Sequence, residues 1–281
     1  MKKTVLSLIT AFPLFAALNV AVSIVPQATF VKAIGGEHVS ISTMVPPGSS
    51  PHAYDPKASQ MKALSLAELY FTIGVEFEGV WLGRFRAANP DMSLIDLSHD
   101  IEKLRMQDEH HHDHHAHHEE EEGSDPHIWL SPSNVAIMAK HIAKALEEHD
   151  PKNADSYRHN LAVFLKEIEN TDNAIMSALS KTPKDTAFMV FHPSWGYFAK
   201  EYGLKQVAME IEGKAPKPKT LIHLIKEAKK QNALAIITQP EFSDKSARVL
   251  AAELGIKVEK FSPLNPKWSK NLIKLAQTIG K

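Results

Sequence analysis

The feature that most constrains the fold is a long stretch without a helix breaker, from Asn153 to about Ser180. It contains neither glycine nor proline, and its apolar residues recur at helical spacing. These apolar residues are Leu161, Phe164, Leu165, Ile168, Ile175 and Leu179. At a rise of about 1.5 Å per residue, a single helix here would extend roughly 40 Å, enough to run along a whole molecule.

Strand and helix patterns alternate on both sides of this stretch. Before it, "NVAVSIV" and "HVSISTMV" alternate apolar and polar residues, and helical patterns follow. After it, strand segments such as "TAFMVFH" and "LAIITQ" alternate with helical ones. This order predicts an α/β fold of two lobes, each with a mainly parallel sheet flanked by helices. We expect an N-terminal lobe over residues 18–150, a connecting helix over 151–181, a C-terminal lobe over 182–281, and a ligand cleft between the lobes.

The first residues have the layout of a secretory signal peptide. Lys2 and Lys3 precede an apolar stretch from Val5 to Ala17, for which a buried first strand or helix is the alternative. The chain has no cysteine, so export brings no disulfides and the signal peptide cannot end in a lipidated cysteine. We therefore expect a signal peptide over residues 1–17 and a free periplasmic protein.

The charge of the chain argues against one class of partner. Its 32 basic and 33 acidic residues leave a net charge of -1, which provides no basic field for nucleic acid. No apolar run of about 18 residues follows the N-terminal segment, so the sequence predicts no transmembrane helix. We expect the protein to act as a monomer.

Histidine is abundant, and its distribution separates two kinds of candidate metal ligand. Seven of the 16 histidines fall in "EHHHDHHAHHEEEE", which begins at Glu109. The surrounding stretch, Gln107 to Asp125, has almost nothing apolar to bury, so its composition predicts disorder rather than a high-affinity site. For His99, which follows a strand, both a structural and a functional interpretation stay open. Five others are interpreted as solvated or structural residues on turns or polar helix faces: His38, His141, His149, His159 and His223.

Three histidines stand apart because each follows a strand signal and lies in a turn that contains proline. They are His52 in "PPGSSPHAYDP", His127 in "SDPHIWLSP" and His192 in "FHPSWGYF". Proline restricts the backbone, and a stiff loop loses less entropy when it holds an imidazole at metal-binding geometry. Three imidazoles suit zinc, which accepts water or a carboxylate as its fourth ligand. Trp129 and Trp195 would wall such a site, or serve as ordinary core aromatics.

These segments resemble the metal-binding proteins of ABC importers for zinc and manganese, in particular the periplasmic zinc-binding type. The likeness covers almost the whole mature chain and is carried by "VPPGSSPHAYDPKASQ", "GVEFEGVW", "DPHIWLSP", "FHPSWGYFAKEYGL" and "ITQPEFSDKSARVLAAELG". The resemblance implies a rigid connecting helix and a buried metal held between two lobes. It implies that His52 and His127 bind Zn2+ from the first lobe and His192 from the second. The ion would then pass to an inner-membrane permease powered by a cytoplasmic ATPase.

One position departs from the family pattern. Many relatives carry an aspartate ligand in an Asp-Pro-Leu turn, whereas this chain has Ser262 in "FSPLNP". The fourth ligand therefore stays open between water and Glu241 of "QPEF", which is also interpretable as a solvated loop acid. A histidine at position 192, where manganese-type relatives tend to have glutamate, favours zinc over manganese.

The His-rich stretch falls where the zinc-type family inserts an acidic, His-rich loop. We hypothesise that it weakly captures extra zinc or senses its abundance; a solvated charge run with incidental metal affinity is the alternative. For the whole protein, the alternatives are a manganese or iron importer component, a zinc-dependent hydrolase, and a metal-binding adhesin or stress protein of the same fold. A hydrolase needs a placed general base, for which Glu241 is the one weak candidate.

Histidine ligation predicts that metal affinity depends on pH. Because a protonated imidazole cannot bind a metal, zinc affinity should fall below about pH 6 to 6.5. Competition titration of the metal-free protein between about pH 5 and 8 measures this fall. A constant affinity over that range would contradict histidine ligation.

Overall fold

The computed structural model describes residues 17–52, 54–106, 123–209, 218–230, 233–240 and 242–280. Three predictions fall outside these residues: the signal peptide up to residue 16, the His-rich stretch from 107 to 122, and the candidate ligand Glu241. Among the helices of the described ranges, none is both long and apolar enough to cross a membrane.

The described chain forms two α/β lobes joined by one long helix, as the sequence predicts. The first lobe contains strands β1 (Leu18–Val22), β2 (Val39–Thr43), β3 (Leu69–Thr72) and β4 (Ser93–Asp96) and helices α1 (Val25–Gly35), α2 (Ala58–Leu64), α3 (Glu76–Ala88) and α4 (Pro132–His149). The long helix is α5 (Ala154–Leu179). The second lobe contains strands β5 (Ala187–Val190), β6 (Lys205–Ala208), β7 (Ala235–Thr238) and β8 (Lys257–Lys260) and helices α6 (Gly196–Tyr202), α7 (Pro218–Lys230), α8 (Lys245–Leu254) and α9 (Trp268–Ile279).

Both sheets are parallel and have the same topology. The strand order is β2-β1-β3-β4 in the first sheet and β6-β5-β7-β8 in the second. In each sheet the first strand along the chain lies inside, with the next two strands on opposite sides of it. This reversal opens a crevice at the carboxyl ends of the strands, where ligands bind in folds of this kind.

The central strands of the second sheet are apolar because both of their faces are covered. In β5, Phe188 and Val190 face a core that is continuous with the first lobe, while Ala187 and Met189 face a second cluster. That second cluster lies against α7 and α8, which contribute residues such as Leu250. A sheet covered in this way leaves its strand ends as the places for polar side chains.

The long helix α5 joins the lobes by packing as well as by chain connectivity. It has 26 residues and packs against α1 and α4 on one side and against α9 on the other. Phe30 of α1 lies at the meeting point, with its ring 5.7 Å from Phe164 of α5 and 5.5 Å from Trp268 of α9. The predicted single helix is therefore present, and it is part of the core of both lobes.

Reciprocal hydrogen bonds also cross between the lobes. The Trp129 indole donates to the carbonyl of Pro263 at 2.7 Å, and the Trp268 indole donates to the carbonyl of Trp129 at the same distance. All three residues are nearly or fully buried. These bonds satisfy two indole donors in the interior and hold the turn before α4 against the turn before α9.

A buried carboxyl group lies at the carboxyl ends of β1 and β3 in the first sheet. Glu78, which is 3% exposed, accepts hydrogen bonds from the backbone N–H groups of Ile73 at 2.9 Å and Gly74 at 2.8 Å. It also accepts one from the hydroxyl of Ser23, which lies 2.7 Å from the Tyr70 hydroxyl. Burial raises the pKa of Glu78 to about 7, although the hydrogen bonds oppose this shift.

The substitution Glu78→Gln should change how stability depends on pH. The folded protein keeps a proton on Glu78 up to about pH 7, whereas the unfolded chain releases it near the ordinary pKa of 4.5. The folded state thus binds more protons between these values, so the stabilisation is full below pH 4.5 and is lost as the pH rises through 7. The complete loss is on the order of 3 kcal/mol.

Urea unfolding of the metal-free wild type and the Glu78→Gln variant between about pH 5 and 8 measures this dependence. The wild type should lose stability relative to the variant as the pH rises. Glu253→Gln, on the exposed surface of α8, is the control and should leave the pH profile unchanged. Parallel profiles for wild type and Glu78→Gln would contradict the assignment.

Candidate metal centre

The structure brings His52, His127 and His192 together from three distant segments. One ligating nitrogen of each ring lies within 4.8 Å of the others, and Nε2 of His52 is 3.1 Å from Nε2 of His192. Zinc–nitrogen bonds of about 2.0 to 2.1 Å place the ligand atoms of a tetrahedral site about 3.3 to 3.4 Å apart. The three rings therefore surround a position that suits one small cation.

Each histidine lies in a loop or turn next to a fixed part of the fold. His52 lies between β2 and α2, and the preceding carbonyl of Pro51 accepts the N–H of Phe77 at 3.2 Å. His127 begins the short turn that leads into α4, whose first turn is capped by the Ser131 hydroxyl accepting the N–H of Asn134 at 3.1 Å. His192 follows β5 directly after Phe191, at the crevice of the second sheet.

The cavity between the rings is small and mostly apolar. Its volume is about 20 Å³, which accommodates about one water-sized occupant. Residues of both lobes line it: Ser50, Pro51, His52, His127, Trp129, His192, Gln239, Phe242, Pro263 and Leu264. The His52 side chain is 29% exposed, whereas His127 and His192 are buried, so His52 lies at the mouth.

The aromatic wall differs in one residue from the sequence interpretation. Trp129 lies 5.3 Å from the His127 ring and lines the cavity, as proposed. Trp195 is instead a core aromatic beside Phe198, which was its alternative interpretation, and it is not among the described lining residues. Phe242 supplies the second wall, with its ring 5.7 Å from that of His192.

Two carboxylates orient the histidines of the first lobe. Nδ1–H of His127 donates to Asp125 at 2.7 Å, and both side chains are 3% exposed. Nδ1–H of His52 donates to Glu76 at 3.0 Å. In each ring this bond leaves the lone pair on Nε2, the nitrogen opposite the carboxylate, and fixes the orientation of the ring.

Glu76 also adds negative charge at the mouth of the cavity. Burial alone would raise the pKa of Glu76, but the hydrogen bond with His52 and the charges of His52 and His127 outweigh it and lower the pKa to about 2. Glu76 is therefore ionised at neutral pH. Its carboxylate favours a cation over a neutral occupant of the cavity.

Residues of the second lobe hold Asp125 in place. A Cβ atom at Gly196, the first residue of α6, would lie 2.7 Å from an Asp125 carboxylate oxygen, so only glycine permits this close approach. The Tyr197 hydroxyl donates to the carbonyl of Asp125 at 2.9 Å and accepts the N–H of Leu104 at 3.0 Å. Asp125, which belongs to the stretch predicted to be disordered, therefore lies in a well-packed part of the structure.

The Gln239 side chain holds the loop of His192 through three hydrogen bonds. Its side-chain oxygen accepts the N–H of His192 at 3.3 Å, and its side-chain nitrogen donates to the carbonyl of His192 at 2.9 Å and to the Ser194 hydroxyl at 3.1 Å. Gln239 is fully buried at the end of β7. It therefore positions His192 from the neighbouring strand.

The sequence signals for these supporting residues differ in strength. Asp125 stands two residues before His127, a spacing that brings a carboxylate next to a ring and was open to recognition. Glu76 and Gln239 lie 24 and 47 residues from their histidines, and no local pattern connects them. Ser262 accepts the N–H of Leu264 at 3.1 Å through its hydroxyl, which shapes the turn that lines the cavity.

Comparisons with known proteins agree with this architecture. The profile of the family described as "Zinc-uptake complex component A periplasmic" matches residues 20–279. The chain belongs to this family. The "High-affinity zinc uptake system protein ZnuA" of Bacillus subtilis is 30% identical over 255 residues, covering 88% of this chain and 78% of that protein.

Other family relatives differ in length or have solved structures. The "Zinc-binding protein AdcA" of Streptococcus pyogenes is 25% identical over 261 residues, and the chain spans 50% of its length. A structure described as "Crystal structure of ZnuA" has 43% identity and a TM-score of 0.84, covering 94% of this chain and 98% of that chain. A second one, "Crystal structure of 138-173 ZnuA deletion mutant plus zinc bound", has the same identity and TM-score, with 94% and 97% covered.

The substitution Asp125→Ala should weaken zinc binding without removing a ligand. Loss of the carboxylate frees the His127 ring to rotate and leaves its tautomer unfixed, which reduces metal affinity about 10- to 100-fold. Asp125→Asn keeps an acceptor without the charge, so its loss should be smaller. Titration against a chelator of known zinc affinity measures both.

Asp155→Ala, which removes a fully exposed carboxylate on α5, is the control and should leave zinc affinity unchanged. Circular dichroism establishes that each variant is folded. Wild-type affinity in a folded Asp125→Ala protein would show that the carboxylate does not support the site.

Proposed function

We propose that the protein is the periplasmic zinc-binding component of an ABC importer. His52, His127 and His192 capture one Zn2+ ion, which is then delivered to a membrane permease powered by a cytoplasmic ATPase. The fourth ligand is water or Glu241, the two alternatives that the sequence leaves open. The observation that carries the proposal is the convergence of three imidazole nitrogens on a cavity of about 20 Å³.

The size of the cavity favours ion binding over hydrolysis. A zinc hydrolase needs room for a substrate beside the metal and a general base that reaches it. A volume of about 20 Å³ holds an ion or a water molecule but no organic substrate. Among the described carboxylates near the rings, Asp125 and Glu76 accept hydrogen bonds from the ring nitrogens. These contacts orient ligands and do not present a base to a substrate.

The ligand set favours zinc over harder cations. Three nitrogen donors suit zinc, whereas manganese and magnesium prefer carboxylate, carbonyl and water oxygens. The Asp125 and Glu76 carboxylates lie on the far side of their imidazoles, where they offset the charge of the dication without displacing nitrogen. Because His52 lies at the mouth, we infer that the ion enters and leaves past this ring.

The triple substitution of His52, His127 and His192 to alanine should abolish tight zinc binding. Removing every nitrogen ligand lowers the affinity of the site by at least about 1000-fold, since structural zinc sites owe their stability to these bonds. Zinc titration calorimetry on the metal-free protein should show one tight phase in the wild type and none in the variant. Weaker binding by the His-rich stretch remains in both proteins.

The matched control replaces His149, His159 and His223 with alanine and should keep the tight phase. In cells grown without available zinc, wild-type protein should restore growth to a strain lacking it, whereas the triple variant should not. Survival of the tight phase in the triple variant would place the binding centre outside the cavity.

A further inference from the structure

A second group of metal-binding side chains lies at the surface of the first lobe. His99 and Asp100 follow β4, and His141 lies in the middle of α4. Asp100 Oδ2 is 3.0 Å from Nδ1 of His99 and 3.5 Å from Nε2 of His141. His141, interpreted from the sequence as a solvated or structural residue, and His99, left open there, thus both lie beside a carboxylate that could share a metal ion with them.

This group is separate from the buried centre. His141 lies nine residues after Pro132, the first residue of α4, or about 14 Å along the helix axis. His127 precedes the helix, and the two groups share no residue. In the ranges that the structure describes, these are the two groups of three side chains whose ligating atoms all lie within 4.8 Å of one another.

The turn that carries His99 and Asp100 is anchored on both sides. The N–H of Leu97 donates to the carbonyl of Thr72 at 3.0 Å, which continues the sheet, and Leu97 is buried. On the other side Ile101 is also nearly buried. Asp100 itself has φ +65°, in the left-handed region that aspartate and asparagine tolerate better than most residues. The two side chains thus project from a fixed turn toward a fixed helix.

The distances and the ligand types fit a borderline divalent cation. The two separations at Asp100 Oδ2, 3.0 and 3.5 Å, lie on either side of the 3.3 to 3.4 Å or so expected between ligands of tetrahedral zinc. Two imidazoles and one carboxylate suit zinc, and also copper and nickel. The His99 and Asp100 side chains are 70% and 62% exposed, so water reaches the remaining coordination positions.

We propose that His99, Asp100 and His141 form a second zinc site on the outer surface of the first lobe. Two ring nitrogens and one carboxylate oxygen bind the ion, and water supplies the other ligands. This site binds zinc more weakly than the buried centre, because its ligands are exposed to solvent and only three come from the protein. It loads and releases zinc independently of the buried centre.

Chemical footprinting of the full-length protein tests this site residue by residue. Diethyl pyrocarbonate acylates neutral imidazoles, and a bound metal blocks the reaction. Increasing zinc chloride should protect His99 and His141 together, as measured by mass spectrometry of their peptides. His159, an exposed histidine of α5 outside both groups, is the internal control and should keep its reactivity over the same zinc range.

The variant Asp100→Asn separates metal binding from simple proximity of two rings. It keeps both reactive imidazoles and suits the left-handed backbone, but it removes the charged ligand. The zinc concentration for half protection should rise at least about tenfold. Asp91→Asn, which makes the same charge change at an exposed position before β4, should leave it unchanged.

Protection of His99 and His141 should persist when His52, His127 and His192 are all replaced by alanine, which makes this test independent of the proposed importer function. Three results would overturn the second site: full reactivity of both histidines throughout the titration, protection that disappears in the triple variant, or an Asp100→Asn midpoint equal to that of the wild type. Equal protection of His159 would also overturn it, by showing non-specific binding.

Discussion

The indole hydrogen bonds of Trp129 and Trp268 join the two lobes beside the candidate metal centre. The nitrogen ligands of a metal site must lie within about 0.2 Å of their usual distances from the ion. His127 and His192, however, come from different lobes. Trp129 is two residues from His127, and its bonding partner Pro263 lines the cavity. The contacts that join the lobes therefore also set the distances between the candidate ligands. The buried aromatic cluster around α5 makes this junction part of the core rather than a hinge on the surface.

The carboxylates beside the cavity favour a cation as its occupant. The carboxylates of Asp125 and Glu76 accept hydrogen bonds from the Nδ1–H groups of His127 and His52, so the lone pair of each ring is on Nε2, which faces the site. Lone pairs that face one another repel, and the short approach between His52 and His192 is unfavourable unless a proton or a metal lies between them. The fold supports this arrangement through interactions outside the cavity, at Gly196, Tyr197 and Gln239. Functional sites often hold side chains in a locally unfavourable arrangement, which the surrounding structure must stabilise.

The sequence predicts the helices and strands well, but it predicts only some of the residues of the candidate site. Particular residues show the physical reasons. Helix α5 is predictable because an amphipathic stretch without glycine or proline favours a single long helix. The three histidines stand out because each lies in a turn that contains proline and follows a strand. Glu76 and Gln239 act through contacts between segments far apart in the chain, which periodicity does not report. His141 looks like an ordinary polar residue of α4 for the same reason, since its partner Asp100 precedes it by some forty residues.

The two lobes are a structural repeat, because their sheets have the same strand order. Different side chains lie at the equivalent strand ends of the two sheets. Glu78 bridges the ends of β1 and β3, while Gln239 bridges the ends of β5 and β7 and presents the loop of His192. In the first lobe, the Glu78 carboxyl group occupies the ends of the central strands. In the second lobe, Gln239 holds the loop of His192 toward the first lobe. Among the described residues, this duplicated architecture therefore has one largely buried group of candidate ligands, and it lies at the junction of the two lobes.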